Sequence, residues 1–470
     1  MPDMLKLVQL PEDLGLSGQA VKDLLARHSA LDIHALALVR DQKVYAIAKK
    51  PYRTDSPHTL FSLSKSFCSM AAGIAVDEGL IRYEDSVADI LKDSLPEGFD
   101  IRLNEVTLHH LLSMSSGLDE RSDQEIRGQA DWARAALSYR VVHDPGSHFH
   151  YNTMGTYLAG RMVSKRTGMS LRDYLMPRLF APLGIAKPQW DCCPLGYNVG
   201  GSGLHLSVMD LAKTAQLLLN WGLWEGRQLL SADYLSRATV KQVDNEDRTD
   251  PDFHIDWALG YGYQFWMTRE NRYRGDGMFG QVMLVDEGNK LAVCVTAGTH
   301  MMGNELDALH GFMEGLLQLP PLADKAAKKL QKTGKAWQAE KPRDDGGALW
   351  GEGSYLGPEG RLVRVETPDE DHLRLIFRKT EDLKPLIFSF GRKKPVKGQV
   401  PSWAYGERPQ PSLGRFGVAE GVITAQALMP EAPYRMQVQM KALEEGSIQL
   451  TMDSIGFEMG EFILNRTDIY

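Results

Sequence analysis

At 470 residues the chain exceeds the roughly 250 at which a single core stops growing, so at least two domains are expected. With 43% hydrophobic and 24% charged residues it has the make-up of a folded globular protein, which excludes a long disordered or fibrous one. The net charge of -8 repels polyanions, and no basic stripe with interleaved aromatics offsets it, so nucleic acid is excluded as a partner.

Taken from the start, MPDMLKLVQLPEDLGL places acids and prolines where a secretory signal needs a basic start and an apolar run. No apolar run anywhere approaches the ~18 residues of a membrane span, so the expectation is a cytoplasmic protein without a membrane partner. Residues 18–30 read as a first helix, and IHALALVR and KVYAIAKK as a strand pair around the turn residues Asp41 and Gln42. Ser62 to Glu78 reads as one buried helix, with Phe67, Met70, Ala71 and Ile74 on a common face and Gly79 as its stop. Thr107 is an N-cap for LHHLLSM, and Ser207 with Asp210 opens the helix VMDLAKTAQLLLNWG. The stretch 124–220 is mainly helical in pattern, broken at Pro145-Gly146, Pro177, Pro182 and Pro188.

Near Trp257 the pattern changes to strands: GYGYQFWM, MFGQVMLV and KLAVCVTAG, with Gly288-Asn289 turning between the last two. NELDALHGFMEGLLQL then closes the region as an amphipathic helix ahead of Pro320-Pro321. Residues 321–346 are lysine-rich and polar, the composition of a linker. From 347 to 470 the segments RLVRVE, HLRLIFR, PLIFSF, YRMQVQM, SIQLTM and EFILN are short and alternating, the pattern of a small all-β barrel or sandwich. The expected fold class is therefore α/β (α+β): residues 1–320 form an antiparallel sheet flanked by helices with a helical subdomain, followed by that β domain.

Ser62-Leu63-Ser64-Lys65 is an SxxK tetrapeptide at the start of the buried helix, which puts both side chains on one face, a turn apart. A serine hydroxyl is a poor nucleophile unless a neighbour takes its proton, and burial near positive charge weakens a lysine's hold on its own proton enough for it to do so. Alone, the tetrapeptide reads as easily as a capping serine and a solvated lysine, since chance supplies roughly one or two such matches in this composition. Pro145-Gly146 turns the chain so that Tyr151 arrives just before a helix, where a phenol can relay protons or simply pack at a loop edge. Arg274-Gly275-Asp276-Gly277-Met278-Phe279-Gly280-Gln281 is a glycine-dense entry to a strand, the signature of close backbone approach to a ligand or of a bulge. The four cysteines, Cys68, Cys192, Cys193 and Cys294, lack CxxC spacing and read as reduced thiols, with Cys68 and Cys294 in the core. His109-His110 and His148-x-His150 have no nearby third ligand, so neither a metal nor any other cofactor is expected.

Five landmarks in order resemble the serine β-lactamase-like family, which includes class C β-lactamases, penicillin-binding proteins, D-amino-acid peptidases, family VIII esterases and 6-aminohexanoate-dimer hydrolases. They are FSLSKSF with EGLIRYEDSVADIL, VTLHHLLSMSSGL, DPGSHFHYNTMGTYLAG, GGSGLHLSVMDLAKTAQLLLN and GDGMFGQ, and the resemblance spans about residues 20–320. It implies an acyl-enzyme on Ser62, with Lys65 and Tyr151 managing the proton and the backbone N–H groups of Ser62 and Met278 forming the oxyanion hole. Thr153 stands where the family's tyrosine motif has its asparagine, and Asn152 precedes it, so either is a candidate substrate contact. In some relatives a lipocalin-like domain follows the catalytic one, and the C-terminal β domain is expected to be of that kind.

One departure bears on substrate. Where the family shows Lys-Thr-Gly or His-x-Gly, this chain has Gly275-Asp276-Gly277, which lacks the cation that grips a substrate carboxylate. A literal Lys332-Thr333-Gly334 falls in the linker and reads as a decoy. Arg272 and Arg274 are candidates to replace the charge, though the expectation for both is solvation beside the strand; Asp276 is a candidate contact for an amine-bearing substrate. The leading reading is a hydrolase of small esters or amides. A D-stereospecific peptidase, a transpeptidase or a weak β-lactamase is the enzymatic alternative, and a catalytically silent ligand-binding member is the non-enzymatic one.

Overall fold

The computed structural model describes residues 5–27, 31–119, 125–126, 128–245, 254–323, 326–328, 330, 338–358, 361–378, 385–400, 409–455 and 459–467. Lys332-Thr333-Gly334 lies outside them. The chain forms two compact units. One takes in the sequence up to Ala48 and from Arg53 through the closing helix; the other takes in Lys49–Tyr52 and the C-terminal strands.

A seven-stranded sheet organises the first unit. Its strands are β1 (Lys6–Val8), β2 (Ile33–Arg40), β3 (Lys43–Ala48), β7 (Trp266–Thr268), β8 (Arg272–Gly277), β9 (Gln281–Asp286) and β10 (Leu291–Ala297). They are ordered β1-β3-β2-β10-β9-β8-β7, with only β1 and β3 parallel among neighbours. The β2–β3 hairpin turns at Asp41 and Gln42, both in the left-handed region with φ of 50° and 58°, which matches the twist of the flanking strands. Every residue of β9 and β10 is buried, so both faces of the sheet centre are covered.

Helix α2 (Ser64–Asp77) is buried without interruption from Ser64 to Ala75, and Phe67, Met70 and Ala71 of the expected face have no exposure at all. Thr107 caps α3 (Leu108–Leu112), and Ser207 with Asp210 forms the capping box of α5 (Val208–Leu219), as the spacing implied. Between them α4 (Thr153–Thr167) starts at an Asn152 cap and stops at Gly168, with φ of 70°. After α4 the helical pattern gives way to turns and to the short strands β5 (Gln189–Trp190) and β6 (Leu204–Leu206), which join β4 (His58–Thr59) in a three-stranded sheet. Prolines at 177, 182 and 188 remove helix hydrogen bonds through this stretch. Helix α1 (Gly18–Arg27) packs on α6 (Met302–Gln318), while α5 lies across β2, β9 and β10.

The second unit is a barrel. Neighbours in its sheet are antiparallel, with Gly353–Leu356 beside Gly460–Thr467, and a parallel bridge from Gly391 of Leu386–Gly391 to Arg415 of Gln410–Ala419 closes the sheet on itself. Closure needs Gly414, since a Cβ there would lie 2.0 Å from the Ser389 carbonyl. The interior is filled by side chains such as Leu375, Phe390, Met436, Val438 and Leu450. The end of the polar linker belongs to this unit: Val418 N and Glu420 N donate to Asp344 and Asp345, and Arg392 donates to Asp344.

Candidate active site

Ser62 does not open the helix itself. Phe61–Leu63 forms a single 3-10 turn, and α2 begins at Ser64. Phe61 sits in the left-handed region with φ of 47°, a conformation that costs a non-glycine residue and is held only where packing over-determines it. Here the packing is visible. Leu60 N donates to Leu204 O at 2.9 Å, Leu204 N donates to Ser64 Oγ at 3.0 Å, and Leu63 N closes the turn onto Leu60 O at 3.1 Å. The turn is thus pinned to β6 on one side and to α2 on the other, leaving Ser62 partly exposed at the surface.

The SxxK spacing brings Lys65, 1% exposed, back over the serine. Its Nζ donates to Ser62 Oγ at 3.0 Å, to Thr153 Oγ1 at 3.2 Å and to the Gly201 carbonyl at 2.8 Å. These partners differ in kind. A carbonyl can only accept, whereas both hydroxyls carry a proton. With an N–H kept on Gly201, a neutral lysine nitrogen here can accept a hydroxyl proton, and the Ser62 hydroxyl lies within reach. Gly201 had no individual role in the sequence analysis although it lies in the GGSGL landmark. A Cβ on it would lie 2.7 Å from Thr153 Cγ2 and 3.6 Å from Lys65 Nζ, so glycine is what lets its carbonyl come this close.

Tyr151 joins the same cluster: Lys65 Nζ lies 4.8 Å from its ring centroid. The ring is stacked on Trp266 at 5.3 Å and 17°, and meets Tyr261 edge-on at 6.2 Å. Burial pushes the Tyr261 hydroxyl well up, and Tyr151 and Asp276 add to the effect. Asn152 and Thr153 separate in role. Asn152 is buried and spends its side-chain carbonyl capping α4 at Gly155 N, while Thr153 faces Lys65.

The strand β8 overturns part of the sequence expectation. Gly275 and Gly277 make room for the Ser62 turn: a Cβ on Gly275 would lie 2.4 Å from Leu63 Cδ1, and one on Gly277 only 2.1 Å from Leu60 O. Strand alternation then sends Arg274 and Asp276 to the opposite face. There Arg274, with 0% exposure, donates from Nε to Asp276 Oδ2 at 2.9 Å and from Nη1 to Asp256 O at 2.9 Å, between the rings of Trp257 and Trp266. Arg272 is also buried, donating to Asp286 at 2.8 Å and to His310 at 3.2 Å. Neither arginine is solvated as expected. A buried cation must be paired, and each has its carboxylate from a neighbouring position in the sheet or strand. The charge of Asp276 is likewise met by Arg274 rather than held open for an amine.

Beyond Gly277 the chain turns through Met278, Phe279 and Gly280 into β9. Met278 is 54% exposed, and Phe279 and Gly280 are both left-handed, with φ of 65° and 86°. The Phe279 ring meets Phe61 edge-on at 5.3 Å, so the two strained residues brace each other across the site. Gln281, fully buried, donates from Nε2 to Met278 O at 3.2 Å and to Ala297 O at 2.9 Å, tying the turn to β10. Gln281 and Trp266 were within quoted segments but were given no role, since nothing in spacing distinguishes them from core residues.

Comparison with known proteins places this geometry. The family model described as Beta-lactamase matches residues 19–308. Monacolin J acid methylbutanoyltransferase of Aspergillus terreus is 31% identical over 158 residues, which cover 29% of this chain and 38% of that protein. The 6-aminohexanoate-dimer hydrolase of Paenarthrobacter ureafaciens is 23% identical over 275 residues, 54% of this chain and 69% of that protein. The octameric penicillin-binding protein homologue from Pyrococcus abyssi shares the fold across both units, with a TM-score of 0.50 at 17% identity over 95% of this chain and 99% of that one. The first curated relatives are thus matched over little more than a third of their length.

Proposed function

Because the chain belongs to the Beta-lactamase family, we propose that it is a serine hydrolase that cleaves small esters or amides through an acyl-enzyme on Ser62. The observation that carries the reading is the 3.0 Å contact between Ser62 Oγ and a buried Lys65 that is also hydrogen-bonded to Gly201 and Thr153. Ser62 Oγ attacks the carbonyl carbon while its proton passes to Lys65 Nζ. The backbone N–H groups of Ser62 and Met278 take the oxyanion. The bond to the leaving group breaks, and Lys65 or Tyr151 returns the proton to the departing oxygen or nitrogen. Water then adds to the acyl-serine, releasing the acid and restoring Ser62. Thr153 serves by holding Lys65, a task its hydroxyl meets at 3.2 Å.

The substrate is read as one without a carboxylate anchor. Arg274 and Arg272, the nearest candidates for that grip in the β8 strand, are buried against Asp276 and Asp286. This favours a neutral ester or amide over a penicillin or a D-peptide with a free carboxylate. Transfer of the acyl group to an alcohol in place of water is a second outcome of the same intermediate, and the methylbutanoyltransferase similarity motivates it. Four free cysteines support a reducing, cytoplasmic setting.

The test is mass spectrometry after fluorophosphonate treatment, followed by a panel of p-nitrophenyl esters, D- and L-amides and nitrocefin with and without a short alcohol. A phosphonyl adduct on Ser62 and turnover of esters are expected. Absence of an adduct under conditions that label a control hydrolase would favour a catalytically silent binding protein, and turnover of D-amides without esters would favour a peptidase.

A further inference from the structure

Behind the Met278–Gly280 turn lies an acid that the reaction above does not use. Glu305, in the first turn of α6, has 0% exposure, and among the described residues neither of its carboxyl oxygens has a hydrogen-bond partner. Its carboxyl rests directly on Gly280: a Cβ there would lie 2.4 Å from Oε2 and 2.7 Å from Oε1. Gly280 is the left-handed residue that ends the turn, and its N–H bonds Gly277 O at 3.2 Å. Glu305 therefore packs against one end of a turn whose Gly277 lies against Leu60 O and whose Phe279 ring meets Phe61, both in the Ser62 turn.

An ionised carboxylate with no donor is among the most costly groups to bury. The charges around this one give no relief. From β8 it is faced by Asp276, which repels a second negative charge, and the cation of Arg274 is already engaged by Asp276 and Asp256 O. From the segment before α6 the His300 ring packs on Phe279 at 5.3 Å, and His254 packs against Gly303, while Asp307 on Glu305's own helix is bound to Arg269. Burial, reinforced by Asp276, pushes the Glu305 carboxyl up to about 8. It is thus a neutral acid at neutral pH and titrates just above.

We propose that Glu305 is a positioning residue of the oxyanion turn: as a neutral carboxyl it seats Gly280 and so holds Met278 against the Ser62 turn, and on losing its proton it displaces that turn. The displacement follows because no other donor reaches it among the described residues. A carboxylate formed here draws on the backbone N–H groups of the turn it touches, the turn that carries the Met278 N–H of the proposed oxyanion pair. The inference rests on the reading of Ser62 as nucleophile, and Glu305 touches neither the substrate nor the reacting atoms.

The test is the rate of fluorophosphonate labelling of Ser62 in the full chain between pH 6 and 9.5, for the unaltered protein, E305Q, E305A and D276N. The unaltered protein is expected to slow by about tenfold or more above pH 8, the scale of a misplaced oxyanion donor. E305Q, which keeps the shape and cannot ionise, loses that fall, whereas E305A, which leaves Gly280 unsupported, is slow at every pH. D276N, which removes the repelling charge and keeps Glu305, moves the fall to lower pH. A labelling rate that does not fall at alkaline pH, an E305Q profile that keeps the fall, or a D276N fall that stays where it was, overturns the proposal; the D276N comparison decides the matter if E305Q does not fold. No labelling of the unaltered protein at any pH would instead remove the reading of Ser62 itself.

Discussion

Replacing Gly277 by alanine is expected to disable the site without touching any group that does chemistry. The new Cβ would stand 2.1 Å from Leu60 O and 3.1 Å from Leu63 N. A comfortable carbon contact is ~3.5 Å, so the carbonyl has to retreat by roughly 1 Å or more. Leu60 O is a backbone atom that closes the Ser62 turn by accepting from Leu63 N, and Leu60 N is itself bonded to Leu204 O, so no side-chain rotation absorbs the clash. Overpacking of this kind costs about 1–3 kcal/mol of stability, and moving a nucleophile by ~1 Å costs on the order of 100-fold in rate. The assay is fluorophosphonate labelling of Ser62 alongside thermal melting. Gly275→Ala is a graded comparison, because its clashes are with Leu63 Cδ1 and Ser66 Oγ, side-chain atoms that can yield. Gly288→Ala is the control, with nothing nearer than Asp286 Oδ1 at 3.5 Å. A Gly277→Ala protein that melts and labels like the unaltered one would show that β8 does not brace the turn.

Lys65→Met, which keeps the length of the stem and removes the amine from Ser62, Thr153 and Gly201, is expected to lower the labelling rate by about 10²–10⁴-fold. Arg274→Met leaves Asp276 buried without its partner and is expected to cost about 3–5 kcal/mol in denaturant unfolding, with Asp276→Asn on the same background recovering part of it. Glu305→Gln is expected to be increasingly more stable than the unaltered protein as pH rises from about 4.5 to about 8. The sign follows from proton binding: in that window the unfolded chain has released the Glu305 proton and the folded chain still holds it, so stability falls with pH by up to roughly 1.4 kcal/mol per unit. A stability difference between the two proteins that does not change over pH 5–8 refutes the raised carboxyl.

The parts that could be read without a structure are those carried by local spacing. An i, i+3 pair meets across one turn, α or 3-10, so Ser62 and Lys65 were visible as a unit although α2 begins only at Ser64, and the Thr107 and Ser207 caps announce themselves because the capping residue and its target lie three positions apart. Strands with alternating apolar residues were legible in the C-terminal unit, and the glycine-containing Gln410–Ala419 and Val396–Val400 were not, since there the pairing partners across the barrel supply what propensity does not. The strand β8 was missed as a strand for the same reason. Its two glycines look like a loop in one dimension and are a packing surface in three.

Chain order and motif spacing thus sufficed for the family resemblance, the all-β C-terminal part and the pairing of Ser62 with Lys65, because those depend on contacts between residues close in sequence or on landmarks kept in order. What each remaining charge does was settled by folding alone. Arg274 and Asp276 are two positions apart, yet whether they pair or face solvent depends on Trp257, Trp266 and Asp256 arriving on one side of β8 while the Ser62 turn takes the other. Gly201 reaches Lys65 across 136 positions, and Glu305 comes to rest on Gly280 only when α6 docks behind the sheet. The low polarity of that interior turns such placements into pairing, neutrality and position, and no local pattern encodes it.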